Sequence, residues 1–306
     1  MDNKLDTRRI VLFIALSFGI AWTLGLVIYL NGGLTSPIAV PLLTFGYMMA
    51  PALAHVLTRV ITREGWANTG LRPNFKRGWP FWVLAWVLPA LLVMLGAAVY
   101  YLFFPQQFDS NFTQIQTMLP ALTISPVTFV VIQIVQAILL APIINSLFTF
   151  GEEFGWRGYL QPKFMPLGGR KAMLIMGVIW GMWHWPITVQ GHNYGLEHPG
   201  YPVAGMLMML VFTTALGTFL GWVTLRSGSV WPAVIGHAAI NGIGTLPALF
   251  TVGEPNMLLG PMVAGIIGMT GFILLALILF LHPRALAPAS ALPETALPAA
   301  QGEIPA

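Results

Sequence analysis

In 306 residues the chain carries 57% hydrophobic and only 8% charged residues, with 14 Lys and Arg against 10 Asp and Glu and a net charge of +4. A soluble domain is nearer a quarter charged, so this composition excludes an ordinary soluble enzyme and describes an all-α, polytopic integral membrane protein. The absence of cysteine excludes disulfides, a thiol nucleophile and thiolate metal ligands.

Apolar stretches near 20 residues mark membrane spans. The first, 10–30, follows a polar segment holding Lys4, Arg8 and Arg9. It is longer than the hydrophobic region of a signal peptide and has no clear small-residue cleavage site, so it reads as a retained helix. Further runs at about 36–58, 79–104, 127–162, 172–190, 202–225, 229–250 and 257–281 bring the expected total to about eight transmembrane helices.

Assigning the connecting segments alternately to two sides places all 14 Lys and Arg on one of them. The other holds Asp109, Glu197 and Glu254, with His192 and His198. By the positive-inside rule the basic side is cytoplasmic and both termini lie there. The expectation is a multi-pass protein of a bacterial plasma membrane, surrounded by lipid. Topology then accounts for the positive charge, with no nucleic-acid partner. Residues 1–284 form one transmembrane domain, and 285–306 is an Ala/Pro-rich, disordered tail. The pairs Gly265-Ile-Ile-Gly268 and Gly268-Met-Thr-Gly271 suggest close helix contacts, and the 11 Trp and 7 Tyr suit interfacial belts.

Ionisable groups in hydrocarbon are costly and mark function by default. Within the spans they are His55, Glu152, Glu153, Arg157, His184 and His237. In a helix Glu153 and Arg157 form an i, i+4 pair with the acid first, the better orientation. Glu152 is rotated by about 100° from Glu153, which leaves it free to act as a base or a ligand. His237 and Asn241 are also four apart and reach one target together, either an oxyanion or a neighbouring helix. His184 is walled by Trp180, Trp183 and Trp185, and Pro186 should bend its span. His55 has no partner motif and reads as structural.

Depth connects these residues. Arg226 and His237 are 11 residues apart, and Lys171 and His184 are 13 apart. Both histidines therefore lie roughly 16–20 Å from the cytoplasmic boundary. If the fourth helix continues to Lys163 and bends at Pro142, Glu152 shares that layer. A polar cavity at this depth suits peptide hydrolysis by carboxylate-activated water. There is no His-Glu-x-x-His zinc helix, no Gly-x-Ser-Gly nucleophile motif paired with a His helix, and no aspartate inside a span. Zn2+ held by Glu152, His184 and His237 is the alternative. Asn241 beside His237 suits an oxyanion hole better, so the metal-free reading is preferred.

Glu-Glu-x-x-x-Arg, aromatic-x-x-x-His and His-x-x-x-Asn, in this order on separate membrane helices, resemble the CPBP family. That family comprises type II CAAX prenyl endopeptidases and the bacteriocin-processing Abi proteins. The resemblance covers roughly 127–245, the family's catalytic core. It implies that Glu152 and His184 activate water, that His237 and Asn241 form the oxyanion hole, and that Glu153 and Arg157 support them. Trp180 stands where the family often has Phe. Members are commonly named metalloproteases, so the resemblance leaves the metal open.

The leading expectation is an intramembrane endopeptidase that cleaves a peptide or protein substrate near the cytoplasmic side, close to a hydrophobic or lipidated terminus. The alternatives are a proton- or ion-coupled transporter and a non-catalytic scaffold of the same fold. Carriers usually show internal repeats, and the Glu-Glu segment has no second copy.

Overall fold

The computed structural model describes residues 5–287. Among them all regular structure is helical, apart from one isolated bridge between Phe108 and Thr251. Six helices are long and apolar enough to cross a bilayer. They are α1 (Thr7–Leu30), α2 (Ala39–Thr62), α3 (Phe75–Phe103), α4 (Pro126–Leu167), α6 (Val203–Ser227) and α7 (Trp231–Phe250). Two more, α5 (Gly169–Thr188) and α8 (Thr270–Leu281), complete the bundle.

Local chemistry sets the helix ends. Asp6 caps α1 by accepting from the Arg9 amide, and Ser125 caps α4 in the same way ahead of Pro126. Gly228 closes α6 with φ 65°, a left-handed conformation that glycine adopts without strain.

The eighth expected span is shorter than the run 257–281. Residues 257–269 form turns, and only Thr270–Leu281 is helical. Twelve residues rise about 18 Å, short of a hydrocarbon core of about 30 Å. Gly260, Pro261, Gly265 and Gly268 break the segment, which folds back on itself with Ile266 N on Leu258 O and Ile267 N on Leu259 O. Gly268 and Gly271 do pack closely: a Cβ at Gly96 of α3 would lie 1.8 Å from Gly268 O, and one at Gly271 would lie 2.6 Å from Leu92 O. Gly265 instead packs inside the folded loop, against Gly260.

The two ends of the bundle hold different loops. At one end Lys163 meets Glu64, Asn74 meets Gly228, and Arg226 donates to the carbonyls of Arg284 and Ala285. At the other, Tyr101 Oη donates to Pro247 O, Asp109 N to Phe250 O and Tyr194 Oη to Ala264 O. Alternate crossings require this segregation, so α5 and α8 also run between the two ends. Of the tail expected from 285, Ala285 and Leu286 are buried, and 288–306 lies outside the described residues.

The centre of the bundle is α6 and α7, whose most apolar windows are 56% and 67% buried, against 17–28% for α1 to α4. The outer helices turn Leu, Ile and Val outward, as lipid-facing surfaces do. Inside, polar groups and glycines join the helices: Thr149 Oγ1 donates to Val234 O at 2.9 Å, and Asn145 Nδ2 to Ala238 O at 3.2 Å. The tryptophans divide. Trp66 and Trp79 are exposed, whereas Trp156, Trp180 and Trp183 are buried in the core.

Candidate active site

The Glu-Glu segment lies in the middle of α4, which is 42 residues long and widens into π turns at Gln136–Leu140 and Trp156–Leu160. The first π turn ends just before Pro142, whose missing N–H breaks the regular ladder there. The second follows the acids directly and carries Arg157. Gly151 and Gly155 bracket the pair on the face toward α2. A Cβ on either would lie 2.5 Å from Met48 O or 2.4 Å from Pro51, so backbone packs on backbone and brings the acids into the core.

The two glutamates have separate partners. Glu153 is fully buried, and Arg157 Nη1 sits 3.0 Å from each of its oxygens. Its Oε1 also accepts from His237 Nδ1 at 2.8 Å. The first contact was legible as an i, i+4 pair. The second was not, because it joins helices 84 residues apart. Glu152, 3% exposed, accepts from Trp180 Nε1 at 2.8 Å through Oε2, while Oε1 has no protein partner among the described residues and is not sealed from the cavity.

Trp180 is a hub that sequence reasoning treated only as an aromatic wall. Besides donating to Glu152, its carbonyl accepts from His184 Nδ1 at 2.8 Å. Its ring lies 4.5 Å below the Arg157 guanidinium and 5.3 Å from the His237 ring. A phenylalanine could not donate to Glu152.

These contacts determine the histidine tautomers. A carbonyl oxygen only accepts, so His184 must carry its proton on Nδ1. The same reasoning applies to His237 Nδ1 on the Glu153 carboxylate. In both neutral rings Nε2 is then a lone pair, with no protein hydrogen bond among the described residues. Asn241, one turn beyond His237, is exposed, and its side-chain amide makes no hydrogen bond among the described residues, so its donors remain available.

Glu152, His184, His237 and Asn241 all line one cavity of about 570 Å³, within the usual range for ligand sites. Glu152 is therefore not at the bundle's basic end. His192, in the loop after α5, lines the same cavity, with its ring parallel to that of His184 at 6.3 Å. Burial lowers His192 to about 4, so it is uncharged at neutral pH. Sequence reasoning placed it only in a loop, since spacing across a helix end carries no facing information. His55 is fully used elsewhere: Nδ1 donates to Phe154 O at 2.9 Å, and Nε2 accepts from Arg59 at 2.6 Å.

The alternative zinc set fits poorly. Among the described residues no group of three His, Asp or Glu is gathered to hold a metal. Glu152 is turned toward Trp180, which donates to its Oε2.

Residues 127–243 match the family model described as Type II CAAX prenyl endopeptidase Rce1-like. Over 95 residues the chain is 30% identical to CAAX prenyl protease 2 of Methanococcus maripaludis. That similarity covers 29% of this chain and 34% of the relative, so the chain spans about a third of the curated protein it matches.

Proposed function

We propose that this chain, whose residues 127–243 match the Type II CAAX prenyl endopeptidase Rce1-like family model, is an intramembrane endopeptidase. The observation carrying this reading is that one oxygen of a buried carboxylate, two imidazole lone pairs and a free carboxamide face the same cavity.

In the proposed reaction a water sits between Glu152 Oε1 and His184 Nε2. Glu152 takes its proton as the oxygen attacks the peptide carbonyl carbon. Asn241 Nδ2 donates to the resulting oxyanion. His237, its Nδ1 held by Glu153, completes the proposed oxyanion hole when Nε2 carries a proton. When the tetrahedral species collapses, the C–N bond breaks and the amine leaves with the proton held on Glu152. Glu153 and Arg157 touch no reacting atom in this scheme; they position His237.

The substrate is a peptide or protein segment that enters an apolar wall, with a hydrophobic or lipidated terminus among the chemistries it suits. Glu152→Gln keeps the shape and the Trp180 hydrogen bond but removes the base. Cleavage should fall by about 10²–10⁴-fold, the range for loss of general-base catalysis, with unfolding temperature unchanged. Peptidomics of membranes carrying wild type or the variant supplies the readout, and products of equal abundance in both would refute the assignment.

A further inference from the structure

A second cavity, of about 450 Å³, shares no residue with the candidate active site and lies where the start of α3 meets the end of α6. Its walls are the segments Asn74 to Arg77 and Leu225 to Gly228. Asn74 builds the junction. Its side chain does not cap α3; Nδ2 donates instead to Gly228 O at 2.8 Å and to Ser227 O at 3.3 Å, clipping the two helix ends together. Gly78 lets them approach, since a Cβ there would lie 3.1 Å from that of Ser227. The volume is within the usual range for ligand sites.

Lys76, Arg77 and Arg226 line this cavity, and no carboxylate does. The sequence explains the imbalance, because no Asp or Glu lies between Glu64 and Asp109 or between Glu197 and Glu254. At the same end of the bundle Asp6 and Glu64 are taken by Arg9 and Lys163. Lys76, Arg77 and Arg226 form no salt bridge among the described residues. Arg226 uses Nη2 on the carbonyls of Arg284 and Ala285, while its Nε and Nη1 make no hydrogen bond among the described residues. Three like charges around one cavity repel, and an anion between them turns that repulsion into attraction.

We propose that this cavity binds the phosphate headgroup of an anionic phospholipid. Arginine forks and lysine ammonium groups both bind phosphate oxygens, and basic pockets between membrane helices take lipid headgroups. Two features favour a lipid over free phosphate. Phe75 and Leu225 add apolar wall beside the cations, as a phosphate joined to glycerol and acyl chains requires. Aromatic residues also mark the level: Phe75 and Trp79 are exposed, and Trp82, stacked on Phe75 at 4.4 Å, donates Nε1 to Pro73 O at 3.2 Å. Tryptophans with an apolar body and a polar tip gather where a bilayer meets water. Headgroups lie at both faces of a bilayer, so the site is the same whichever face this end occupies. Neither the site nor its ligand depends on peptidase chemistry.

The test uses the full chain in detergent micelles, titrated separately with dioctanoyl-phosphatidylglycerol, dioctanoyl-phosphatidylcholine and inorganic phosphate. A ligand of the folded state raises the unfolding midpoint, and native mass spectrometry counts lipid retained on the folded protein. Phosphatidylglycerol should raise the midpoint and be retained, and the other two should do neither at the same concentration. Lys76→Gln with Arg77→Gln should weaken phosphatidylglycerol binding about tenfold or more. Both side chains are exposed, so the midpoint without lipid should stay unchanged, and retention is read on folded protein even if it falls. Arg170→Gln with Lys171→Gln removes two exposed charges outside the cavity and should bind as the wild type does. Arg226 is left intact because it also holds the carbonyls of Arg284 and Ala285. Equal binding of the two lipids, the full effect from inorganic phosphate alone, no loss in the first double variant, or an equal loss in the second would each overturn the proposal.

Discussion

Glu152 and Glu153 are adjacent in sequence yet have opposite surroundings. The 100° step between neighbours in a helix points Glu153 at Arg157 and His237 and Glu152 at Trp180 and the cavity. Glu153 is the more costly to alter for stability. Neutralising it leaves the Arg157 guanidinium buried with no compensating charge, and breaking such a pair costs about 3–5 kcal/mol. Glu153→Gln should therefore lower the unfolding temperature in detergent micelles well below that of Glu152→Gln. Equal melting curves for the two variants would show that Arg157 does not depend on its carboxylate. The i, i+4 spacing made the Arg157 contact readable in advance. The contacts of Glu153 with His237 and of Glu152 with Trp180 join separate helices, and no periodicity within one helix contains them.

At the scale of elements, the apolar runs located the helices but not their irregularities. A π turn shifts hydrogen bonds by one residue without changing composition, so the three in α2 and α4 left no trace in the pattern. The last run read as a helix because its residues are apolar, although its glycines and Pro261 fold half of it into turns. The glycines beside the acids were equally legible as letters, yet their partner on α2 was not. Gly155→Val tests that contact. A Cβ there meets Pro51 at 2.4 Å, so α2 and α4 must separate, whereas overpacking elsewhere typically costs about 1–3 kcal/mol. The variant should melt lower and lose cleavage together, while Gly19→Val, at a position with nothing within 4 Å of a Cβ, should change neither. A stable and active Gly155→Val protein would mean that this close approach does not hold the acids in place.

Over the whole molecule, charge and site are separated: the basic end ties helices together, and loops of the opposite end border the cavity. The helical, multi-pass fold was readable because hydropathy acts along the chain, whereas the cavity depends on how loops far apart in sequence meet. At the basic end, Lys163 Nζ lies 2.7 Å from Glu64 Oε1, Tyr159 donates to Glu64 Oε2 at 2.8 Å, and Arg9 pairs with Asp6 at 2.8 Å. These contacts link the start of α1, the turn after α2 and the end of α4. Burial alone would raise the Glu64 carboxyl, but the hydrogen bonds from Lys163 and Tyr159 and the nearby positive charges outweigh it and hold it below its ordinary 4.5. The same balance, led among the lowering contacts by Arg9, holds Asp6 below its ordinary value. A depressed carboxyl binds its proton more readily in the unfolded chain, so its stabilisation is complete above pH about 4.5 and disappears as pH falls through the folded value. Unfolding temperature should accordingly drop on acidification below that point. Glu64→Gln should flatten the acid limb while lowering the plateau near neutrality, and Asp6→Asn added to it should flatten what remains. Melting curves of the three proteins from neutral pH into the acid range provide the measurement, and an acid limb as steep in the double variant as in the wild type would show that the pH dependence arises elsewhere.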